Sequence, residues 1–258
     1  IEPHVMAETK DILIDYVLHL ADNSMILGQR NAEWCGHGPV LEQDIALTNI
    51  TLDLIGEARS LYQYAAELKG GDSTEDSMAF LRDVMQYRNT LLLEQKNTDW
   101  AYTITRQFFY DVFHYYLQEV LVNSSDERLK EIAKKTIKES TYHLKWSSEW
   151  MIRLGDGTEI SHLKMQNALN DLWEYTGEFF IPSSTEIEMQ SKGIGADLHA
   201  LSVKWKSKVE EILNEATLNI PESSFQQKGG KTGLHSEHLG YILAEMQYLQ
   251  RAYPGAEW

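Results

Sequence analysis

The stretch IKESTYHLKW, Ile137 to Trp146, places a carboxylate, Glu139, four residues ahead of an imidazole, His143. A dinuclear iron site in a helical bundle takes a Glu from each of two helices and a Glu-x-x-His pair from each of the other two, because carboxylates offset the metal charge and bridge the ions. Of the 9 histidines, His114 and His162 have an acid three residues before them, Asp111 in DVFH and Glu159 in EISH. With 39 acids in 258 residues, chance gives about 1.4 such pairs, so the count alone argues for nothing.

A helical wheel at about 100° per residue sharpens the reading of residues 129–154. Leu129, Ala133, Thr136, Ser140, Leu144, Ser147, Met151 and Leu154 fall on an inner arc that includes His143, while Lys130, Lys134, Lys138, Lys145 and Glu149 form the outer face. Glu139 lies at the edge of the arc and Tyr142 turns toward the polar side. If His143 is a ligand, its carboxylate position is Ser140; if Glu139 is the ligand, its histidine position is Tyr142. Each register lacks one member. The second long helix, from Leu41, offers DLIG (Asp53, then Gly56) and EARS (Glu57, then Ser60), and no histidine occurs between His37 and His114.

Two readings stay open on the residues alone. In one, Asp53, Asp111 and His143 are inward polar groups satisfied by one another, by Tyr or Arg, or by water, since a buried carboxylate must find partners or take up a proton. In the other, Asp22, Asp53, Asp111, His114, Glu139 and His143 form a nonstandard metal site, with His19 as a further donor. LHSEH (His235, Glu237, His238) reads as a capping cluster before a helix. The KGGK turn, Lys228 to Lys231, offers a weak phosphate signal without the spacing of a nucleotide-binding loop.

These residues need helices to position them. Apolar spacing predicts long helices from about Glu8 to Glu33, Leu41 to Gly70, Asp99 to Val122 and Glu127 to Leu154, with a short one near Thr74 to Gln86. Further helices are expected at Ile160 to Phe179, Leu198 to Leu218 and in EHLGYILAEMQYLQRAY, and the least regular piece is IPSSTEIEMQSKGIGAD. No stretch alternates long enough for a strand, so the fold class is all-α, one domain over residues 1–258, with residues 1–7 expected outside the folded part and the native chain expected to begin at Met6.

Composition narrows the function classes. With 43% hydrophobic and 24% charged residues the chain can bury a sizeable core. A net charge of -16 without a basic tract sets it against nucleic acid and anionic lipid; the charge serves as a solubility device or, in the other reading, favours a partner with a basic face. No run approaches a membrane span, the N-terminus lacks an apolar signal core, and the one cysteine, Cys35, cannot form an internal disulfide; a cytoplasmic location is expected.

The long motifs EWCGHGPVLEQDIALTNITLDLIGEARSLYQYAAEL, IKESTYHLKWSSEWMIRLGDGTEISHLKMQNAL, LNEATLNIP and GGKTGLHSEHLGYILAEMQYLQRAYPG resemble the PaaC-type structural subunits of bacterial ring-1,2-phenylacetyl-CoA epoxidases, over nearly the whole chain. The resemblance implies a ferritin-like helical bundle with additional C-terminal helices, acting as a non-catalytic structural subunit. It implies that the di-iron centre and the acyl-CoA site belong to an A-type subunit. A small B-type subunit and a reductase carrying FAD and an iron-sulfur cluster complete a system that uses NADPH and oxygen to epoxidise the ring. No catalytic, cofactor-binding or metal residue is carried over to this chain.

Two functions follow for testing: a scaffold that stabilises the catalytic subunit, or an independent ferritin-like di-iron oxygenase or oxidase built on the nonstandard set. The aromatic-rich FFYDVFHYY stretch serves either the core or a partner. A surface made for a large helical partner is left apolar in its absence, so the isolated chain is expected to form a homo-oligomer. Light scattering should detect it at roughly tens of micromolar; a monomer there counts against the expectation.

Overall fold

The computed structural model describes residues 3–256, with side chains from Lys10 onward. In chain order the helices are α1 (Pro3–Ala32), α2 (Leu41–Lys69), α3 (Glu75–Phe80), α4 (Trp100–Leu121), α5 (Glu127–Gly155), α6 (Glu159–Trp173), α7 (Ser184–Ser191), α8 (Leu198–Glu215), α9 (Glu237–Met246) and α10 (Tyr248–Ala252). No strand occurs among the described residues, and no described helix is long and apolar enough to cross a membrane. The chain divides into two compact units. One takes the residues up to Glu94, Ser183–Met189 and those from Gly229 onward; the other takes Gln95–Pro182 and Gln190–Lys228.

Local chemistry sets the boundaries. The Asp99 side chain caps α4 by accepting from Tyr102 N, Asp126 caps α5 through Leu129 N, and Asp197 caps α8 through His199 N and Ala200 N. At the end of α2 the chain leaves the helix through Gly70, whose φ of 74° belongs to the region that favours glycine. α1 begins at Pro3, inside the stretch 1–7 expected outside the folded part, and the helix expected from Ile160 to Phe179 ends at Trp173. Two further differences have local causes. The stretch after Ile181 holds α7, because Ser183 and Glu186 form a reciprocal cap: the Glu186 carboxylate accepts from Ser183 N, and the Ser183 hydroxyl accepts from Glu186 N. The expected single C-terminal helix is interrupted at Gln247, whose side-chain amide donates to Arg82 O at 2.9 Å.

In the first unit α1 and α2 pack along their lengths and α9 lies against α1. In the second, α4 packs against α5, α6 and α8. The aromatic stretch of α4 goes to the core: Phe108, Phe109, Tyr110 and Phe113 are buried. Phe113 stacks on Phe179 with centroids 4.6 Å apart, and Trp205 reaches from α8 to donate its indole N–H to Phe109 O at 2.9 Å. The wheel of α5 matches its burial, with Leu129, Ala133, Thr136, Ser140, Leu144, Ser147 and Met151 buried and Lys134, Lys138, Lys145 and Glu149 exposed. Leu154 departs from this and is half-buried. Gly155 takes the buried place because Ala216 passes so close that a Cβ would lie 2.5 Å from its carbonyl oxygen.

Candidate functional site

In the first unit the inward acid of α1 is Asp22, which is fully buried. Its Oδ1 accepts from Tyr62 of α2 at 2.7 Å and from Arg82 Nη2, and its Oδ2 accepts from Arg82 Nη1 at 3.0 Å and from Arg88 N at 2.8 Å. The carboxylate therefore has a bidentate guanidinium, a phenol and a backbone amide, which fill its acceptor positions. Arg82 is fixed in turn: Nε donates to Met78 O at 2.6 Å, Nη1 to Gln86 O at 2.9 Å, and its guanidinium lies 4.2 Å from the Tyr87 ring centroid. Burial works against the charge on Arg82, but Asp22 together with Tyr62 and Tyr87 more than offsets it and holds the guanidinium's pKa above its ordinary value. Burial, with Asp22 beside it, pushes the Tyr62 hydroxyl up.

Other acids of this unit are also engaged. Ser24 on α1 donates to Glu57 on α2 at 2.9 Å, and Asp53 is half-buried. His19 Nδ1 stands 2.7 Å from Arg88 O and its Nε2 3.4 Å from Glu186. Lys231 Nζ donates to both Glu186 oxygens, at 2.9 and 3.1 Å. Burial alone would raise the Glu186 carboxyl; His19, Lys231 and Ser183 N together hold it well below the carboxylate range. The KGGK turn thus directs its second lysine to an internal acid, not outward to a phosphate.

His235 of the LHSEH cluster is internal rather than a helix cap. Its Nδ1 lies 3.0 Å from Glu94 Oε2 and its Nε2 3.0 Å from Tyr87 O. Two acceptors facing the two ring nitrogens require both to carry protons, so the ring is an imidazolium paired with Glu94. Burial opposes that charge, and Glu94 with the Tyr87 carbonyl reverses the effect, raising the pKa above 6.5. Glu94 also accepts from Asn89 Nδ2 at 3.0 Å and Ser236 N at 2.6 Å.

In the second unit α4 and α5 bring Asp111, His114 and His143 into one polar cluster. Asp111 is fully buried and accepts from Gln107 Nε2 at 2.7 Å. Burial pushes its pKa up from 3.8 to about 6, against the opposing pull of His143, Ser147, Gln107 and His114. His114 stacks on Tyr110 with centroids 5.0 Å apart, and its Nε2 is 3.0 Å from Gln118 Nε2, which has only protons to offer; Nε2 is therefore the acceptor. His143 is buried, whereas Tyr142 is exposed. Ser140, at the position where a metal-binding pair would carry its acid, turns its hydroxyl back to Ile137 O at 3.2 Å. Glu139 stays half-buried at 3.9 Å from Lys135. In EISH, Glu159 is exposed and His162 bonds to Gly155 O at 2.8 Å, so this pair serves the turn between α5 and α6.

Of the six sequence-derived candidates, three share the α4–α5 cluster, Asp22 is bound by Arg82, and Asp53 and Glu139 are half-buried. Among the described residues, no three or more His, Cys, Asp or Glu side chains are grouped so that they could hold a metal ion. Sequence reasoning missed Arg82, Tyr62, Glu94 and Glu186. Only Glu186 carried a local signal, the Ser-x-x-Glu spacing of a capping box.

Residues 2–258 match the family described as "Phenylacetic acid catabolic protein". The curated C-type subunit of the 1,2-phenylacetyl-CoA epoxidase of Escherichia coli (strain K12) is 50% identical over 246 residues, which span 95% of this chain and 99% of that protein.

Two measurements test the buried pairs. Arg82→Met strands the Asp22 carboxylate and should cost about 3–5 kcal/mol in urea unfolding, while Asp22→Asn combined with Arg82→Met should recover more than half of that. Strictly additive losses would show that the two side chains are not coupled. For His235 the folded pKa lies above the unfolded value, so the stabilisation is complete below about pH 6.5 and is lost as pH rises through the folded value. The stability difference between the natural chain and His235→Gln should therefore shrink toward alkaline pH, and a difference that stays constant from roughly pH 6 to 9 would sink the imidazolium assignment.

Proposed function

The chain belongs to the phenylacetic acid catabolic protein family, and from that premise we propose that it is the non-catalytic structural subunit of a phenylacetyl-CoA epoxidase. Its all-α, ferritin-like fold fits that place. In this reading it pairs with and stabilises an A-type subunit that holds the di-iron centre and the substrate. A small B-type subunit joins them, and a reductase bearing FAD and an iron-sulfur cluster delivers electrons from NADPH. The chain works in the cytoplasm, and alone it self-associates.

One observation carries the proposal: Arg82 occupies the coordination space of Asp22. A carboxylate that serves as a metal ligand must keep an oxygen lone pair for the ion, and here the guanidinium, the Tyr62 hydroxyl and Arg88 N take those positions. The guanidinium also supplies positive charge in a buried region, so this acid is neutralised by the protein itself. The absence of histidine from α2 and the serine at position 140 point the same way.

Co-expression with the other oxygenase subunits, followed by iron determination on each separated chain, tests this. The expected result is stoichiometric co-purification with the A-type subunit and iron confined to it. About two irons per molecule of this chain, with oxygen-dependent turnover by the isolated chain, would replace the scaffold with the independent di-iron oxygenase or oxidase on the nonstandard ligand set.

A further inference from the structure

We propose that the outward face of α2 is the docking surface for one helix of the catalytic subunit, and that this helix presents aliphatic side chains bordered by Lys and Arg. The inference rests on the functional reading above, because it locates where that partner is held. Leu41, Ile45 and Leu52 are 72%, 53% and 61% exposed. On a wheel of about 100° per residue they lie within roughly 40° of one another, along about 17 Å of helix. Single exposed aliphatics are ordinary, but an aligned row of them on one face marks a surface that another molecule covers.

Gly56 extends the same row by one turn and gives an independent reason. A Cβ built on it meets no atom within 4 Å, and its φ is not positive. Neither packing within the chain nor backbone conformation calls for glycine at this helix-interior position, where it is less favourable than alanine. Gly28 on α1 differs, since its Cβ would come 3.1 Å from Ile55. A missing side chain on an open helix face lets a second backbone approach closely, as at a helix crossing.

The charge along the row identifies the occupant. Glu42, Asp53 and Glu67 follow one edge, about 80–120° from Leu41 on the wheel. The cation in line with the row, Arg59, is turned to Glu75 at 2.8 Å. An acidic edge on a chain of net charge -16 repels anionic lipid, and a second copy brings the same negative charge. An aliphatic helix bordered by cations satisfies both the apolar row and its edge. Self-association through this face is then the weaker substitute when the partner is absent.

The test is capture of the full-length chain by the tagged catalytic subunit of its complex on co-expression. Ile45→Glu with Leu52→Glu, and separately Gly56→Leu, should each lower capture at least tenfold, with circular dichroism and thermal midpoint close to those of the natural chain. Tyr241→Glu with Tyr248→Glu, on the exposed side of α9 and α10, should leave capture unchanged. Capture of the α2 variants at the natural level overturns the proposal, and so does loss of self-association alone with capture intact. Failure of the natural chain to be captured overturns the functional reading itself and the docking surface with it.

Discussion

A carboxylate with no solvent exposure is tolerated only where a cation and hydrogen-bond donors replace the water it has lost, and Asp22 states this requirement for the first unit. Arg82 meets it from 60 residues away, and the consequences spread outward. Its guanidinium holds the carbonyls of Met78 and Gln86, so the irregular segment after α3 is shaped around one side chain. Arg88 N completes the acid's shell, which brings the Arg88 carbonyl within reach of His19. His19 meets Glu186, and Glu186 meets Lys231. Four distant parts of the sequence are joined through a chain of polar contacts that begins at one buried charge.

The second unit answers the same requirement differently. Asp111 has no guanidinium beside it; Gln107 bonds one oxygen, and His143 and His114 exert only part of the pull needed to keep it ionised. Two residues to either side on α4, Phe113 stacks on Phe179 and Phe109 receives the Trp205 indole N–H at its carbonyl. One unit thus anchors its inward acid with a permanent cation, and the other leaves its acid close to protonation among neutral and histidine neighbours. Neither arrangement reproduces the Glu-x-x-His pairs on which a di-iron bundle is built.

How much of this the sequence revealed follows from the range of each interaction. The α5 wheel placed most of the buried residues, missing Trp146, Ser148 and Gly155, since a helix with lysines on one side and small or apolar residues on the other has a single way to face a core. The starts of α5 and α8 fell where the sequence spacing put them, at Glu127 and Leu198, and the structure caps them with Asp126 and Asp197, an interaction that acts within three residues. The Asp22–Arg82 pair was not legible, because nothing local to either residue names the other. Lys231 and His235 were misread for the same reason: a Gly-Lys turn and a His cluster look like surface devices until Glu186 and Glu94 are brought to them. The α7 helix was missed despite its Ser-x-x-Glu cap, since its apolar content is too thin to show periodicity. Full-length motif resemblance supplied what spacing could not, namely the family.

The guanidinium at Asp22 also acts as a one-way latch. Making this acid a metal ligand would first require removing Arg82, and that step alone strands a buried charge before any ion could compensate. It would also release the carbonyls of Met78 and Gln86 and loosen the segment built around them. Each change is unfavourable without the others, so no gradual series of single substitutions leads downhill to a metal-binding Asp22. A cation carried on the chain itself balances the charge at that position, and its covalent attachment keeps it there.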